Sequence, residues 1–166
     1  MSNTVRILGI DPGLRFTGWG VIACRGSALT YEASGRIAAQ TEGEMAARLW
    51  DLASALDHIV ATHGPDEAAV EETFVNTNPR SALKLGQARG ICLLAPARSG
   101  IPVAEYAANQ VKKAVVGVGH AEKAQVGAMI ARLLPQAGKV SADEADALAV
   151  AICHSSHRRA PRRLSA

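Results

Sequence analysis

The sequence predicts an α/β protein, helices layered on a mixed central sheet, and three observations carry that expectation. Near the N-terminus, apolar and β-branched runs follow one another with only short turns between them. After them, helical and strand-like periodicities alternate to the end of the chain. The acids that stand out fall at strand ends and at a helix start, where open α/β sheets commonly carry a ligand crevice.

Each element has its own reason. Val5-Arg6-Ile7-Leu8-Gly9-Ile10 is short, apolar and β-branched, and Asp11-Pro12-Gly13 breaks it, so it reads as a buried strand ending on an acid. Thr17-Gly18-Trp19-Gly20-Val21-Ile22-Ala23 is a second strand and Arg25-Gly26-Ser27 a turn. Residues 29–37 form a third, more polar strand, expected near an edge. Strands joined this closely make an antiparallel meander. Met45, Leu49, Leu52, Leu56, Ile59 and Val60 recur at helical spacing until His63-Gly64-Pro65 stops the run. Glu67-Ala68-Ala69-Val70-Glu71 is a short strand, and residues 80–95 a helix whose Gly86 and Gly90 lie one turn apart. A strand over 103–106 follows, then helices over 107–115, 124–134 and 142–154.

Neither a repeat nor a linker interrupts this order, so residues 1–157 are expected to form one domain, with 158–166 a basic, disordered tail. With 48% hydrophobic and 20% charged residues, a mostly disordered chain is excluded. Aromatic residues are only 4%, so Ala, Gly, Val and Leu must fill most of the core. No apolar run approaches the ~18 residues of a membrane span, and no secretory signal opens the chain. Cys24, Cys92 and Cys153 are widely spaced, which suits a reducing cytoplasm and not a zinc ribbon. The tail carries Arg158, Arg159, Arg162 and Arg163; without them 14 basic residues face 15 acids. A basic tail on a near-neutral body suits a polyanion, although a solvated terminus is the better reading of a tail alone.

The chemistry rests on carboxylates. Asp11 ends the first strand and either lines a crevice or caps its own turn. Glu71 and Glu72 are adjacent on a strand and point to opposite faces, so only one can join Asp11, and spacing does not say which. Asp143 and Asp146 share a face at the start of the last helix. Acids there also serve the helix dipole and its caps. The helix that follows is so apolar that an acid on it needs a partner or a metal. Four carboxylates in one cleft would repel one another unless divalent cations joined them. All-oxygen ligands suit Mg²⁺ or Mn²⁺, and two such ions ~4 Å apart can activate water and stabilise a leaving oxygen in phosphodiester hydrolysis.

These residues sit within stretches that resemble the RuvC Holliday junction resolvases of the ribonuclease H-like superfamily. The likeness runs from about Arg6 to His154. It is carried by Leu8-Gly9-Ile10-Asp11-Pro12-Gly13, Ala69-Val70-Glu71, and Ser81-Ala82-Leu83-Lys84-Leu85-Gly86-Gln87-Ala88-Arg89-Gly90. It continues through Gln110-Val111-Lys112, Val115-Val116-Gly117-Val118-Gly119, Ala121-Glu122-Lys123 and Asp143-Glu144-Ala145-Asp146-Ala147-Leu148-Ala149. The resemblance implies a ribonuclease H-like fold and a homodimer that cuts four-way DNA junctions with Mg²⁺, two ions per subunit, Mn²⁺ substituting. It implies Asp11, Glu71, Asp143 and Asp146 as catalytic, metal-holding acids, choosing Glu71 over Glu72; some members carry histidine at the position of Asp143. A branch-migration motor is a further implied partner.

Contacts to DNA are expected from Phe74, Lys112, Lys123, Arg80 and Lys84. Phe74 lies in a polar loop, where an aromatic stacks on an unpaired base or anchors the loop in the core; the resemblance favours DNA. Lysines 112 and 123 flank glycine-rich turns, where positive charge can hold a phosphate. Lys113 is not singled out by the resemblance, and Arg80, Lys84 and Arg89 either track phosphates or cover a helix. Gly117 to Lys123 lacks the Gly-Lys-Ser/Thr ending of a nucleotide loop. Cys153, His154 and His157 read as incidental, at a fraying helix end. Two rival functions are weaker: an actin-like ATPase or sugar kinase needs a second domain that 166 residues do not supply, and a junction binder without activity would have no use for four acids.

Overall fold

A computed structural model describes residues 3–39, 42–72 and 77–158. Strands β1 (Val5–Asp11), β2 (Phe16–Arg25) and β3 (Ala28–Ala38) form the meander. Helix α1 (Met45–His63) leads to β4 (Glu67–Glu72), and α2 (Pro79–Arg98) leads to β5 (Val103–Ala107). Helices α3 (Ala108–Val116), α4 (Lys123–Leu133) and α5 (Ala142–His157) close the chain. The five strands make one sheet in the order β3-β2-β1-β4-β5. β1 pairs antiparallel with β2 and parallel with β4, while β4 and β5 are also parallel. β3 is an edge strand, in keeping with its polarity.

The period-2 alternation of the central strands sorts two cores. Leu8, Ile10, Ala68 and Val70 bury one face against Leu52, Leu56 and Ile59 of α1 and Cys92 of α2. Ile7 and Ala69 bury the other face with Leu148, Val150 and Ala151 of α5 and with Val111 and Val126 of α3 and α4. A side-chain β-carbon on Gly9 would lie 2.1 Å from the Ala147 carbonyl oxygen, and one on Gly18 would lie 2.0 Å from that of Asp143. Helix α5 therefore lies directly on β1 and β2, its first turns over the end of β1.

Two elements run further than expected. The sequence reading ended the second helix near Ala95, before Pro96, yet α2 continues to Arg98. A proline this close to a helix end sacrifices only one helical hydrogen bond there, the Pro96 side chain is fully buried, and Arg98 pairs with Asp57 of α1. The last helix does not fray at His154 but continues to His157. Arg158, grouped above with the tail, donates to both carboxylate oxygens of Glu67, at 3.0 Å and 2.6 Å. Residues 159–166 lie outside the described residues.

Candidate active site

The strand alternation decides between the two adjacent glutamates. Ala69 faces α5 while Ala68 and Val70 face α1 and α2, so Glu71 falls on the α5 face and Glu72 on the other. By the same parity Asp11 follows Ile7 and Gly9 onto the α5 face. Because β1 and β4 are parallel neighbours, both acids leave the same end of the sheet. Helix α5 then brings Asp146 down beside them. The result is a cleft of about 230 Å³ lined by Asp11, Glu71 and Asp146, with Lys112 from α3 and Lys123 from α4 on its walls.

The electrostatics of this cleft are those of crowded like charges. Burial, a hydrogen bond shared with Glu71, and the charges of Glu71 and Asp146 push the Asp11 carboxyl up to about 9; Lys123 opposes them. Crowding therefore favours the neutral form of Asp11 when no cation is present. Asp146 is raised too, first by burial and then by Glu71 and Asp143, against the pull of Lys123. The Lys123 ammonium lies 3.6 Å from Asp146 and is otherwise exposed. Among the described residues no three acid, histidine or cysteine side chains close into a formed cation cage. The donor set nevertheless fits a hard divalent cation: it is all carboxylate, it is half-buried, and its crowded like charges are what a cation would offset.

The acids that open α5 divide three ways. Glu144 is the cap: it accepts from the Ser141 N–H at 2.8 Å, its own N–H donates to Ser141 Oγ, and Ser34 Oγ donates to it at 2.9 Å. Asp146 enters the cleft. Asp143 lies near enough for its charge to act on Asp146, but its carboxylate is 3.9 Å from Arg36, whose guanidinium stacks on Phe16 at 4.2 Å. The structure thus gathers Asp11, Glu71 and Asp146 and leaves Asp143 at the rim.

Of the residues expected at DNA, Lys112 and Lys123 line the cleft. Arg80 is exposed on the first turn of α2, where Asn78 accepts from its N–H at 3.0 Å. Lys84 lines a different pocket, on the α1/α2 face. Phe74 lies outside the described residues. Arg89 is not a surface cation: it pairs with Glu105 and donates to the Glu71 carbonyl at 3.4 Å, which ties α2 to the strand end bearing the acid.

The sequence reading passed over one group of residues. His154 is buried, not incidental; its Nε2 lies 2.7 Å from Glu67 and its Nδ1 2.9 Å from the Tyr106 hydroxyl. Glu67 only accepts, so Nε2 carries the hydrogen and the tyrosine O–H donates to Nδ1. With Arg158 on the same carboxylate, this chain bolts the far end of α5 to β4 and β5. The signal was present, since His154 continues the apolar stripe of Ala147, Val150 and Ala151 by one turn.

Comparison with known proteins places this arrangement in context. The family model for crossover junction endodeoxyribonuclease RuvC matches residues 7–154. A protein of that name from Caulobacter vibrioides is 59% identical over 160 residues, 96% of this chain and 95% of its own. One from Rhizobium etli is 56% identical over 158 residues, 95% and 94% of the two chains. The structure of Thermus thermophilus RuvC with a Holliday junction substrate superposes with a TM-score of 0.81 at 31% identity, over 91% of this chain and 93% of that one. The yeast mitochondrial resolvase Ydc2 shares the fold, with a TM-score of 0.67 at 14% identity over 93% of this chain and 79% of its own.

Proposed function

The chain belongs to the RuvC family of crossover junction endodeoxyribonucleases, and on that basis we propose that the cleft of Asp11, Glu71 and Asp146 is where it cuts DNA. Its function is structure-selective endonucleolytic resolution of four-way (Holliday) junctions, in recombination and repair. The observation that carries the site assignment is the convergence of three half-buried carboxylates from three separate elements, with two lysines beside them, at one end of the sheet.

Nucleases of this family depend on divalent metal. Asp11, Glu71 and Asp146 would hold Mg²⁺, two ions per subunit with Mn²⁺ able to replace it, and Asp143 would join them by leaving Arg36. Metal bound there supplies an activated water and a counter-charge for the leaving oxygen. The rest is the work of the chain. Lys112 and Lys123 hold the scissile phosphate over the carboxylates, and Lys123 offsets charge that develops on it. Hydrolysis adds water at phosphorus and breaks the bond to the 3′ oxygen, which takes a proton, leaving a 5′-phosphate and a 3′-hydroxyl. Phe74 meets a base at the crossover, while Arg80 and Lys84 track the flanking backbone.

The working unit is a homodimer with one such cleft per subunit. Leu83, Gly86, Gly90 and Leu94 fall on one side of α2. Leu83 is 66% and Leu94 53% exposed, and a β-carbon on either glycine would meet nothing within 4 Å. Packing inside one subunit therefore does not account for those glycines, and close approach of a second α2 does. Contact with a branch-migration motor belongs to the same proposal. DNA as substrate and three free cysteines favour a cytoplasmic setting; among the described residues no helix is long and apolar enough to cross a membrane.

The deciding experiment incubates the protein with a four-way junction and with a matched duplex, with Mg²⁺ and with chelator. Paired nicks of like polarity in the junction alone, only with metal, are expected. Equal cutting of the duplex, or cutting in chelator, would overturn the assignment.

A further inference from the structure

On the opposite face of the sheet from the cleavage cleft, but at the same end, a pocket of about 40 Å³ lies between α1, α2 and the loop joining β1 to β2. Gly13, Leu14 and Thr17 come from the loop and the start of β2, Arg48 from α1, and Lys84 and Ala88 from α2; the remaining described walls are aliphatic or alanine. The Nε of Arg48 is buried there and has no hydrogen-bond partner. Among the described residues neither Arg48 nor Lys84 belongs to an ion pair, and the described lining contains no acid.

A guanidinium with a desolvated, unpaired N–H is a costly thing for a fold to keep. Among the described residues nothing relieves it, and two cations lining one pocket without an acid call for an anion, which would meet the terminal guanidinium nitrogens of Arg48. The planar fork of Arg suits phosphate oxygens in particular, and aliphatic walls strengthen such a pair by excluding water. The volume admits about three waters at roughly 10–15 Å³ each, which is the scale of one phosphate group and too small for a base.

We propose that this pocket is a phosphate-ester subsite that takes a backbone phosphate of the DNA strand passing over the ends of β1 and β4. The assignment rests on the nuclease reading above and extends it to the far side of the Asp11–Leu14 turn. Arg48 is the primary ligand of the phosphate and Lys84 its second cation. A strand seated in both places is held on either side of Asp11, which fixes where along the backbone the scissile bond falls.

The test measures junction binding without divalent metal across a range of salt, for the full chain and for Arg48→Met and Arg48→Lys, with the melting temperature of each free protein. Arg48→Met should weaken binding about tenfold and lower the slope of log affinity against log salt by about 0.7–0.9, one phosphate contact. It should melt no lower than the parent, since the unpaired donor is gone. Arg48→Lys should keep the slope. An unchanged slope in Arg48→Met, with or without a lower melting temperature, would make Arg48 a structural residue and overturn the proposal. A second arm titrates inorganic phosphate and a nucleoside monophosphate against melting temperature. Stabilisation by either that Arg48→Met abolishes, with the junction slope unchanged, would assign the pocket to a free ligand and overturn strand occupancy. Failure of the parent protein to cut junctions would sink the nuclease reading and leave the slope comparison readable.

Discussion

Asp146 is useful because of where its neighbours let the helix go. Ala145, Ala147 and Ala149 keep α5 thin, and glycines on the strands beneath let it touch the sheet backbone. Gly9 is the sharpest case, with its missing β-carbon 2.1 Å from the Ala147 oxygen and 2.7 Å from the Ala151 nitrogen. Both obstacles are backbone, so neither can swing aside. Gly9→Ala is expected to destabilise the protein by about 3 kcal/mol, at the upper end of ordinary overpacking, read as a shift in urea midpoint. It should also slow cutting in whatever fraction remains folded, because α5 must lift Asp146 away from Asp11. A stability change under about 0.5 kcal/mol, the range of neutral surface substitutions, would show that the helix yields easily. Alternation alone put Glu71 and Glu72 on opposite faces without saying which is covered, so in the sequence the choice of Glu71 rested on the family resemblance. Ala69 under α5 and Val70 under α1 put Glu71 on the α5 face.

At the scale of elements, α5 is anchored at both ends. Its first turn is closed by the reciprocal Ser141–Glu144 cap, and its last by His154 and Arg158 on Glu67. The lower anchor makes stability depend on pH. Arg158 is the main reason the Glu67 carboxyl sits below its ordinary 4.5, with His154 adding to the effect. The unfolded chain then takes that proton first, so this contribution is present above about 4.5 and lost as pH falls through the folded value. Burial holds His154 below its ordinary 6.5 despite Glu67. Its contribution is complete above 6.5 and declines as acid protonates the unfolded chain preferentially. The two act in one direction. Asp11 and Asp146, whose carboxyls are raised, act in the opposite direction, so the anchor is read as a difference between proteins. Calorimetry should show the advantage in melting temperature of the parent over His154→Gln shrinking as pH drops from about 7 to about 5. An advantage that stays constant between about pH 7 and about pH 5 would contradict the anchor. Element type and order were legible throughout, since the core alternation and helical stripes were unambiguous. Helix ends were not: α2 runs past the expected end near Ala95 because Pro96 is absorbed by burial, and His154 reads as a fray because its partners lie 48 and 87 residues away.

For the whole molecule, the proposed homodimer matches one cleft per chain to the two strand cuts that resolve a junction. A twofold pair built on the exposed face of α2 would set equal clefts about the junction's own approximate dyad. A mixed dimer with one Asp11→Asn subunit should bind the junction and nick a single strand, seen as one labelled product on a denaturing gel. Paired cuts from it, or full activity from a demonstrated monomer, would rule the arrangement out. Binding should also weaken steeply with salt, as expected when phosphates supply most of the affinity; a salt-insensitive complex would contradict that.

The central claim is that the clustered carboxylates of the cleft do the cutting. Asp146→Asn tests it most directly, because the amide keeps the shape of the side chain and removes only its charge. Single-turnover cleavage of a saturated four-way junction should slow by at least about a hundredfold, since even groups that merely support a metal ligand cost about 10–100-fold when lost. Junction affinity measured without metal should hold or rise slightly, as a negative charge has left the DNA-facing cleft. Near-normal cleavage by Asp146→Asn, with the protein shown to be folded, would contradict the account.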